Sequence, residues 1–351
     1  MKETDQTYMH RCLELARLGA GFVAPNPMVG AVLVYENRII GEGYHQVYGE
    51  AHAEVNCLNS VSVADQPLIP LSTLYVSLEP CAHFGKTPPC SDLIIRHQIK
   101  TVVIGCRDPF TEVDGKGIEK LQHAGIAVTV GVLEAECREL NKRFFTFVTQ
   151  HRPYIILKWA QTANGLIAGE GEERLLISHA CTNRLVHQWR SEEAAIVVGT
   201  NTALADDPSL TNRLWTGKSP VRMVVDRNLR LRATLHLFDQ QQRTIVINTV
   251  KAEERENLSY QKIAATEDTI DAILKVAYKE NLQSILVEGG AALVQSFINK
   301  GLWDEARVIT NPQLAIPKGL PAPVLPQTVP AKTEQIATDT LSTYINKPVY
   351  L

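Results

Sequence analysis

The sequence predicts two α/β domains, and three observations lead to that fold class. The 351 residues are about twice the ~150 residues of a typical domain. Segments with the composition of strands alternate with segments that have the periodicity of helices, which is typical of layered α/β folds. A long helical pattern ends before Pro153, and a new strand begins directly after it. We therefore expect one domain over residues 1–150 and a second over residues 151–351.

The first domain is expected to open with an amphipathic helix. Apolar residues between Thr4 and Ala20 recur mostly three and four positions apart, which is the spacing of one helix face. Short β-rich runs and helix-like segments then alternate along the domain. The predicted strands cover residues 31–35, 74–78, 101–104 and 127–130, and the predicted helices lie near residues 51–60, 91–98, 117–124 and 134–149.

The second domain shows the same alternation with different spacing, and no internal repeat relates the two. Six prolines between Pro312 and Pro330 disfavour regular structure there and predict an ordered excursion before a last short strand. The predicted strands cover residues 154–159, 194–198, 221–225, 244–247 and 284–287, and the predicted helices cover residues 178–191, 269–280 and 291–300.

The composition excludes several classes of protein. A net charge of -3 lacks the electropositive surface of a nucleic-acid binder, so we expect small-molecule partners. The longest apolar runs are strand-sized, far below the ~20 residues of a membrane span, and residues 1–6 lack the apolar region of a secretory signal. We therefore expect a cytoplasmic protein. Seven irregularly spaced cysteines argue against a disulfide framework and leave a metal role open for two of them.

One set of residues fits zinc-dependent deamination. That chemistry needs three protein ligands, an open position for water, and a nearby carboxylate that is not a ligand. The sequence offers His52 at the start of a helical segment and Cys81 and Cys90 after a strand. A lone cysteine is more often packed in a core than bound to metal, but the three together predict one zinc ion. Glu54 is then the predicted proton carrier.

The spacing of the two cysteines departs from the general deaminase signature, in which two residues separate them. Here eight residues intervene between Cys81 and Cys90, and they include a His, a Lys and a Thr. The insert is therefore either a loop that binds a polar, phosphorylated substrate or merely a longer connection.

Residues Tyr75–Cys90, which read YVSLEPCAHFGKTPPC, resemble the deaminase domain of the bifunctional riboflavin-biosynthesis deaminase/reductases. Further motifs of that family follow in the same order, namely PNPMVG at 25–30, GYH at 43–45, GEAHAE at 49–54, DP at 108–109 and DGKG at 114–117. The resemblance implies a three-layer, cytidine-deaminase-like fold for this domain.

The resemblance also implies a substrate site in the deaminase domain. Asn26 and His45 would help to hold the pyrimidine, and Lys86 and Thr87 would lie toward the ribose phosphate. The residues alone leave other interpretations open, since Asn26 lies between prolines, where a turn residue is common, and a single histidine can be structural.

The second domain lacks a Gly-x-Gly-x-x-Gly motif but has a strand that runs through Glu288-Gly289-Gly290 into a helix. Such a turn offers close backbone approach and unpaired helical N–H groups to a cofactor phosphate, although many α/β turns look alike. Residues 158–165 and 199–213 resemble the reductase half of the same family. That half has a dihydrofolate-reductase-like fold and uses NADPH.

By this resemblance, ten residues would contact the dinucleotide: Ala160, Thr202, Asp206, Gly290, Ala291, Ala292, Leu293, Val294, Gln295 and Ser296. Four residues would contact the ribosyl-phosphate substrate: Arg190, Leu210, Arg213 and Glu288. Three positions depart from the family. Arg174 and Leu176 replace a substrate serine and a cofactor-stacking tryptophan, and Arg227 stands where a small polar residue is common.

The function implied is zinc-dependent deamination of 2,5-diamino-6-ribosylamino-4(3H)-pyrimidinone 5′-phosphate, followed by NADPH reduction of the ribosyl group. The family also implies a homodimer or a higher homo-oligomer. One alternative is a zinc nucleobase deaminase with an appended non-catalytic binding domain, against which the cysteine spacing and the acidic first domain count. Another is a structural zinc module, but such sites have four closed ligands and need no spare carboxylate such as Glu54.

Overall fold

The computed structural model describes residues 3–84, 88–171, 175–326 and 329–346. The chain divides into two compact units, Met1–His151 and Arg152–Leu351. None of the helices in these described ranges combines the length and the apolar character needed to cross a bilayer.

The first unit contains a five-stranded sheet in the order β2-β1-β3-β4-β5. Strand β1 is antiparallel to β2 and β3, whereas β3, β4 and β5 are parallel. The strands are β1 (Gly30–Tyr35), β2 (Arg38–Tyr44), β3 (Thr73–Leu78), β4 (Thr101–Cys106) and β5 (Ala127–Val130). The helices are α1 (Glu3–Arg17), α2 (Ala53–Asn59), α3 (Cys90–Arg96), α4 (Lys116–His123), α5 (Glu134–Leu140) and α6 (Lys142–Gln150), with a 3₁₀ turn at Gln66–Leu71.

Helices cover both faces of this sheet, because successive strand residues point to opposite sides. Ala31 and Ile104 point into an apolar cluster that includes residues of α2, α3 and α4. Their neighbours Gly30 and Gly105 meet α1 and α5 on the other face. The first unit therefore has three layers.

Helix α2 lies at backbone contact with β2. A Cβ atom placed on Gly43 would lie 2.7 Å from the carbonyl oxygen of Ala53 and 2.6 Å from the carbonyl carbon of Asn56. Real Cβ atoms essentially never come this close, so only glycine permits the approach. The short distance between α2 and the sheet therefore depends on glycine at position 43.

The prediction of one helix over residues 134–149 was wrong, because α5 and α6 are separated at Asn141. The buried Asn141 side chain accepts a hydrogen bond from the Met28 amide and donates one to the Met28 carbonyl, each at 2.8 Å. This tertiary contact interrupts an otherwise continuous helical pattern. Strand β2 escaped prediction because Gly41 and Gly43 weaken its β signal.

The second unit is built on a ten-stranded sheet in the order β11-β12-β10-β9-β8-β13-β6-β14-β17-β16, with β15 and β7 paired separately. The seven strands β12, β10, β9, β8, β13, β6 and β14 are parallel to one another. The three outer strands pair in antiparallel fashion, β11 with β12, β17 with β14, and β16 with β17. The strands are β6 (Tyr154–Thr162), β7 (Leu166–Gly169), β8 (Ala195–Gly199), β9 (Val221–Val225), β10 (Thr244–Asn248), β11 (Glu253–Arg255), β12 (Leu258–Lys262), β13 (Ser284–Gly289), β14 (Glu305–Asn311), β15 (Gly319–Pro321), β16 (Lys332–Ile336) and β17 (Asp339–Ile345).

Four α-helices flank this sheet: α7 (Ala180–Glu192), α8 (Thr200–Asp206), α9 (Thr269–Lys279) and α10 (Ala291–Lys300). One apolar cluster joins the sheet to α9 and α10, and a separate cluster joins it to α7. The central parallel strands are therefore covered on both faces, as parallel sheets generally are.

The sequence did not predict several elements of the second unit, namely β7, α8, β11, β12 and β14. Strand β14 was missed because a buried ion pair between Arg307 and Glu305, at 2.6 Å, interrupts its apolar pattern. The proline-rich excursion contains β15, which pairs with β7, and the chain then forms two strands, β16 and β17, instead of one.

Candidate active sites

Three predicted zinc ligands come together in the first unit from three elements. His52 is the N-cap residue of α2, Cys81 follows β3, and Cys90 is the first residue of α3. Their ligand atoms all lie within 4.8 Å of one another. The His52 Nδ1 atom is 3.7 Å from the Cys81 sulfur and 3.4 Å from the Cys90 sulfur.

This triangle fits a tetrahedral zinc ion. With Zn–S near 2.3 Å and Zn–N near 2.0–2.1 Å, tetrahedral geometry sets each S···N separation at about 3.6 Å. The two separations of 3.7 and 3.4 Å lie on either side of that value. Three ligands also leave a fourth position for water, which is typical of catalytic zinc sites. It is the only group of three or more metal-ligating side chains found in the described part of the chain.

The electrostatics of the site favour a thiolate at Cys81. Hydrogen bonds from the Cys90 thiol, from the His52 ring and from the Cys90 amide lower the pKa of Cys81 to about 4. The amide contact is 3.3 Å long. A thiolate is the form that binds a metal, so the site is prepared for one.

Glu54 lies in the first turn of α2, two residues after the predicted ligand His52, and its side chain is buried. Burial, with the negative charge of Cys81 in addition, raises the pKa of the Glu54 carboxyl above its ordinary value. A carboxyl whose pKa is shifted toward neutrality can both accept and return a proton, which is the property of a general acid and base.

Asn26 and His45 form one hydrogen-bonded chain that reaches the metal triangle. The His45 Nδ1 atom donates to the Ala51 carbonyl at 3.0 Å, so Nε2 accepts from the Asn26 amide at 3.2 Å. Burial lowers the pKa of His45, which agrees with this neutral form. The His45 and His52 rings meet edge to face at 5.3 Å. The predicted Lys86 and Thr87 contacts lie outside the described residues.

Sequence reasoning missed Glu79, which lies in the turn after β3, two residues before Cys81. Its buried carboxylate accepts hydrogen bonds from the amides of Asp108, Gly115, Gly117 and Ile118, at 3.3, 3.0, 2.9 and 3.2 Å. The turn that carries Cys81 is thereby fixed to the segment before α4. The sequence shows a glutamate between a buried strand and Pro80-Cys81, but that position does not identify the amides that it binds.

In the second unit, Arg190 and Glu288 form a buried two-point ion pair. The Arg190 Nε and Nη2 atoms lie 2.8 and 2.7 Å from the two Glu288 carboxylate oxygens. Arg190 also donates to the Thr211 carbonyl at 3.1 Å, and the Lys158 amine lies 3.9 Å from Glu288. Burial alone would raise the pKa of Glu288, but Arg190 and Lys158 outweigh it and lower that pKa.

Helix α7 also holds the loop that contains the other predicted substrate residues. The Arg213 amide donates to Nδ1 of the buried His187 at 2.9 Å, while the exposed Arg213 guanidinium donates to the Thr211 hydroxyl. Leu210 is buried with a positive φ of 52°. The structure therefore links Arg190, Glu288 and Arg213 through one loop, with the Leu210 side chain in the core.

Acid is expected to destabilise the second unit through His187. Burial, with Arg190 and Arg213 in addition, lowers the pKa of His187 to about 4. The ordinary pKa of histidine is 6.5, so between pH 6.5 and pH 4 His187 is protonated in the unfolded chain but not in the folded chain. The free energy of unfolding should therefore fall by up to about 1.4 kcal/mol per pH unit as the pH drops through this window.

This loss can be measured by denaturant titration with tryptophan fluorescence, because all four tryptophans lie between residues 159 and 303. In His187→Asn the amide oxygen can still accept the Arg213 N–H but cannot titrate. We expect the variant to lack this part of the slope between pH 6.5 and 4. An identical slope in both proteins would contradict the assignment.

A cavity of about 570 Å³ lies at the carboxyl ends of β8, β9 and β13. Five of the ten predicted cofactor residues line it: Thr202, Gly290, Ala292, Leu293 and Ser296. Gly290, with a φ of 76°, precedes α10, whose first amide groups have no acceptor within the helix. The volume and these free N–H groups fit a phosphate-bearing cofactor.

The other predicted cofactor residues are placed differently. Val294 is buried in the core, and the Gln295 side chain binds the Val324 backbone through two hydrogen bonds, at 2.8 and 3.3 Å. Asp206 is exposed at the end of α8. Ala160 and Ala291 lie in β6 and at the start of α10, and neither lines the cavity.

The structure describes two of the three positions at which this chain departs from the family pattern. Leu176 is 79% exposed. The Arg227 guanidinium donates to the Ala265 and Glu267 carbonyls and to the Thr269 hydroxyl, at 2.6, 3.0 and 3.1 Å. Arg174 lies outside the described residues.

Comparison with family models matches both halves of the chain. Residues 2–106 match the zinc-binding region of cytidine and deoxycytidylate deaminases, and residues 153–315 match the RibD C-terminal domain. These matches confirm the predicted fold class, a cytidine-deaminase-like domain followed by a dihydrofolate-reductase-like domain.

Similar proteins cover nearly the whole chain. The riboflavin biosynthesis protein RibD of Aquifex aeolicus is 41% identical over 319 residues, which cover 90% of this chain and 88% of that protein. The RibD protein of Escherichia coli is 34% identical and covers 88% of each chain. A crystal structure of a diaminohydroxyphosphoribosylaminopyrimidine deaminase/5-amino-6-(5-phosphoribosylamino)uracil reductase from Thermotoga maritima is 37% identical. It aligns with a TM-score of 0.88 over 97% of this chain and 98% of the other.

Proposed function

The chain belongs to the RibD family of riboflavin-biosynthesis deaminase/reductases, and on that premise we propose how its two units divide the two reactions. It is a bifunctional enzyme that deaminates 2,5-diamino-6-ribosylamino-4(3H)-pyrimidinone 5′-phosphate and then reduces 5-amino-6-(5-phosphoribosylamino)uracil with NADPH. We assign deamination to residues 1–150 and reduction to residues 151–351. The alternative with a non-catalytic second domain is not favoured, because the relatives match both halves.

The metal triangle carries the deaminase assignment. His52, Cys81 and Cys90 would hold zinc, because their mutual distances suit a tetrahedral ion and one coordination position stays open. When bound, zinc supplies Lewis acidity that brings the pKa of water down to about 7.

Glu54 and its neighbours would perform the proton transfers and hold the ring. Glu54 takes the proton from the attacking water and returns it to the amine that leaves as ammonia. Neutral His45, with its Nδ1 proton committed to Ala51, keeps the Asn26 amide oriented by accepting its hydrogen bond. Asn26 Oδ1 makes no hydrogen bond to the described residues and is the acceptor that we assign to the pyrimidine.

For the reductase, NADPH supplies the hydride, and the chain supplies position and charge. Arg190 satisfies both oxygens of Glu288 and so fixes its carboxylate beside Lys158. Arg213 makes no ion pair with an acid in the described ranges, and its exposed guanidinium suits the substrate phosphate. Leu210 would contribute through the loop backbone, since its side chain is buried.

We propose a reducing, cytoplasmic setting, in which Cys81 and Cys90 stay reduced and available to bind the metal. We also retain the homodimer or higher homo-oligomer that the family resemblance implies as a proposal. Size-exclusion chromatography with light scattering would measure the oligomeric mass directly.

Mass spectrometry of the product tests the division of labour. The zinc-loaded chain is given the diaminopyrimidine ribotide, made in situ from GTP, with or without NADPH. We expect exchange of one amino group for oxygen without NADPH, and two added hydrogens as well when NADPH is present. A chelator should stop ammonia release yet leave reduction of supplied aminouracil ribotide intact, and added zinc should restore release. Loss of both reactions on chelation would contradict separate sites.

A further inference from the structure

We infer that Arg230 selects NADPH over NADH by binding the phosphate on the 2′-hydroxyl of the adenosine ribose. The inference rests on the proposed reductase function of the second unit. Arg230 lies in the loop after β9 and lines the same cavity as Gly290 and Thr202. The cofactor and substrate contacts that the family resemblance implies for this domain do not include Arg230.

The charges that line the cavity single out Arg230. Lys300 is 2.7 Å from Asp268 and 3.0 Å from Asp271, so its charge is balanced. Asp268 also caps α9 by accepting the Ile270 amide at 2.8 Å. The Arg230 side chain, in contrast, donates only to the Asn201 amide oxygen, at 3.4 Å, and has no carboxylate partner in the described ranges. Among the described residues that line the cavity, Arg230 is therefore the cation without a neighbouring carboxylate.

The sheet topology places Arg230 at a suitable distance from the start of α10. Strand β8 lies between β9 and β13, and neighbouring strands are about 4.8 Å apart. The loops that follow β9 and β13 are therefore roughly 10 Å apart across the carboxyl end of β8. A dinucleotide with its pyrophosphate at the amide groups after Gly290 would extend its adenosine ribose toward the β9 loop, where Arg230 lies.

The chemistry of the two cofactors makes Arg230 decisive. NADPH carries a 2′-phosphate dianion where NADH carries a hydroxyl. A free arginine accommodates the phosphate, whereas an available carboxylate would favour the hydroxyl. Asp268 is the only acid among the described residues that line the cavity, and it is committed to Lys300 and to the helix cap. The described lining is therefore suited to NADPH.

Arg227 offers a contrasting case three residues earlier. Its guanidinium is occupied by the Ala265 and Glu267 carbonyls and the Thr269 hydroxyl. Thr269 itself lines the cavity. Arg227 therefore positions the cavity wall, and we expect its removal to weaken both cofactors alike.

The test is isothermal titration calorimetry of the full chain with NADPH, NADH, 2′,5′-ADP and 5′-AMP. In Arg230→Ala we expect the Kd of NADPH and of 2′,5′-ADP to rise about 10- to 100-fold, with the Kd of NADH and 5′-AMP unchanged. Arg230→Lys should retain part of the preference. Arg232→Ala removes an equally exposed charge two residues away, outside the cavity lining, and should change nothing. Arg227→Ala should raise the Kd of NADPH and NADH by the same factor.

An unchanged ratio of NADPH to NADH affinity in Arg230→Ala would overturn the inference and leave the reductase assignment intact. An equal loss of both affinities would overturn it too, since Arg230 would then only support the wall. If the unaltered chain binds neither dinucleotide, the reductase assignment fails and this inference fails with it. A thermal melt of each variant controls for folding.

Discussion

Replacement of Glu54 by glutamine is expected to lower the rate of ammonia release about 10²- to 10⁴-fold, which is the usual contribution of a positioned acid and base. The amide keeps the shape of the side chain but can neither take the proton from water nor return it to the amine. The measurement is single-turnover ammonia release, with zinc content determined by atomic emission on the same sample.

Three controls make the Glu54→Gln result specific. Zinc content should match that of the unaltered chain, because Glu54 is not among the three residues that could hold the metal. NADPH oxidation with supplied aminouracil ribotide should also be unchanged. Glu50→Gln, on the exposed turn before α2, should leave ammonia release unaffected. Release at the normal rate by a zinc-loaded Glu54→Gln variant would refute the proposed mechanism.

Replacement of Arg190 by alanine is expected to destabilise the second unit by about 3–5 kcal/mol, because it leaves the Glu288 carboxylate buried without its two-point partner. Lys158, at 3.9 Å, compensates only in part. The free energy of unfolding can be followed by tryptophan fluorescence, which reports this unit. Reduction should be lost in the same variant, since Glu288 would no longer be held in place.

Arg184 provides the matched control, because it lies on the same helix with an exposed side chain. Arg184→Ala should change the unfolding free energy by less than about 0.5 kcal/mol. The double variant Arg190→Met with Glu288→Met should recover most of the stability but none of the reduction. A loss below about 1 kcal/mol in Arg190→Ala would mean that water or Lys158 satisfies Glu288 adequately.

The group of three side chains that could hold a metal could be predicted from the sequence because few residue types perform that chemistry. A histidine followed two residues later by a glutamate, with two later cysteines, restricts the possibilities even when the cysteines are eight residues apart. Glu79 could not be recognised in the same way. Its partners are backbone amides of residues 108–118, and no side-chain pattern marks a segment that is held by its N–H groups.

In the fold, too, the local sequence predicts some elements, whereas others depend on tertiary contacts. The strands of the parallel core, such as β8 and β13, were predicted because continuous burial produces continuous apolar runs. Strand β14 could not be predicted in this way, because Arg307 and Glu305 satisfy each other inside the sheet. The break at Asn141 likewise depends on Met28, which is distant in sequence. Such contacts exist only once the chain has folded.

The contact between Gly43 and α2 bears on any attempt to make this enzyme more heat-resistant. Exchange of glycine for alanine is a common way to gain about 0.4–1 kcal/mol, since it restricts the unfolded chain. At Gly43 the added methyl group would push away the helix that carries Glu54, and a shift of about 1 Å can cost 10²-fold in rate. At Gly169 the same methyl group would meet nothing within 4 Å. The glycines of this chain therefore differ in whether they tolerate alanine, and Gly41 and Gly43 of β2 should be left unchanged.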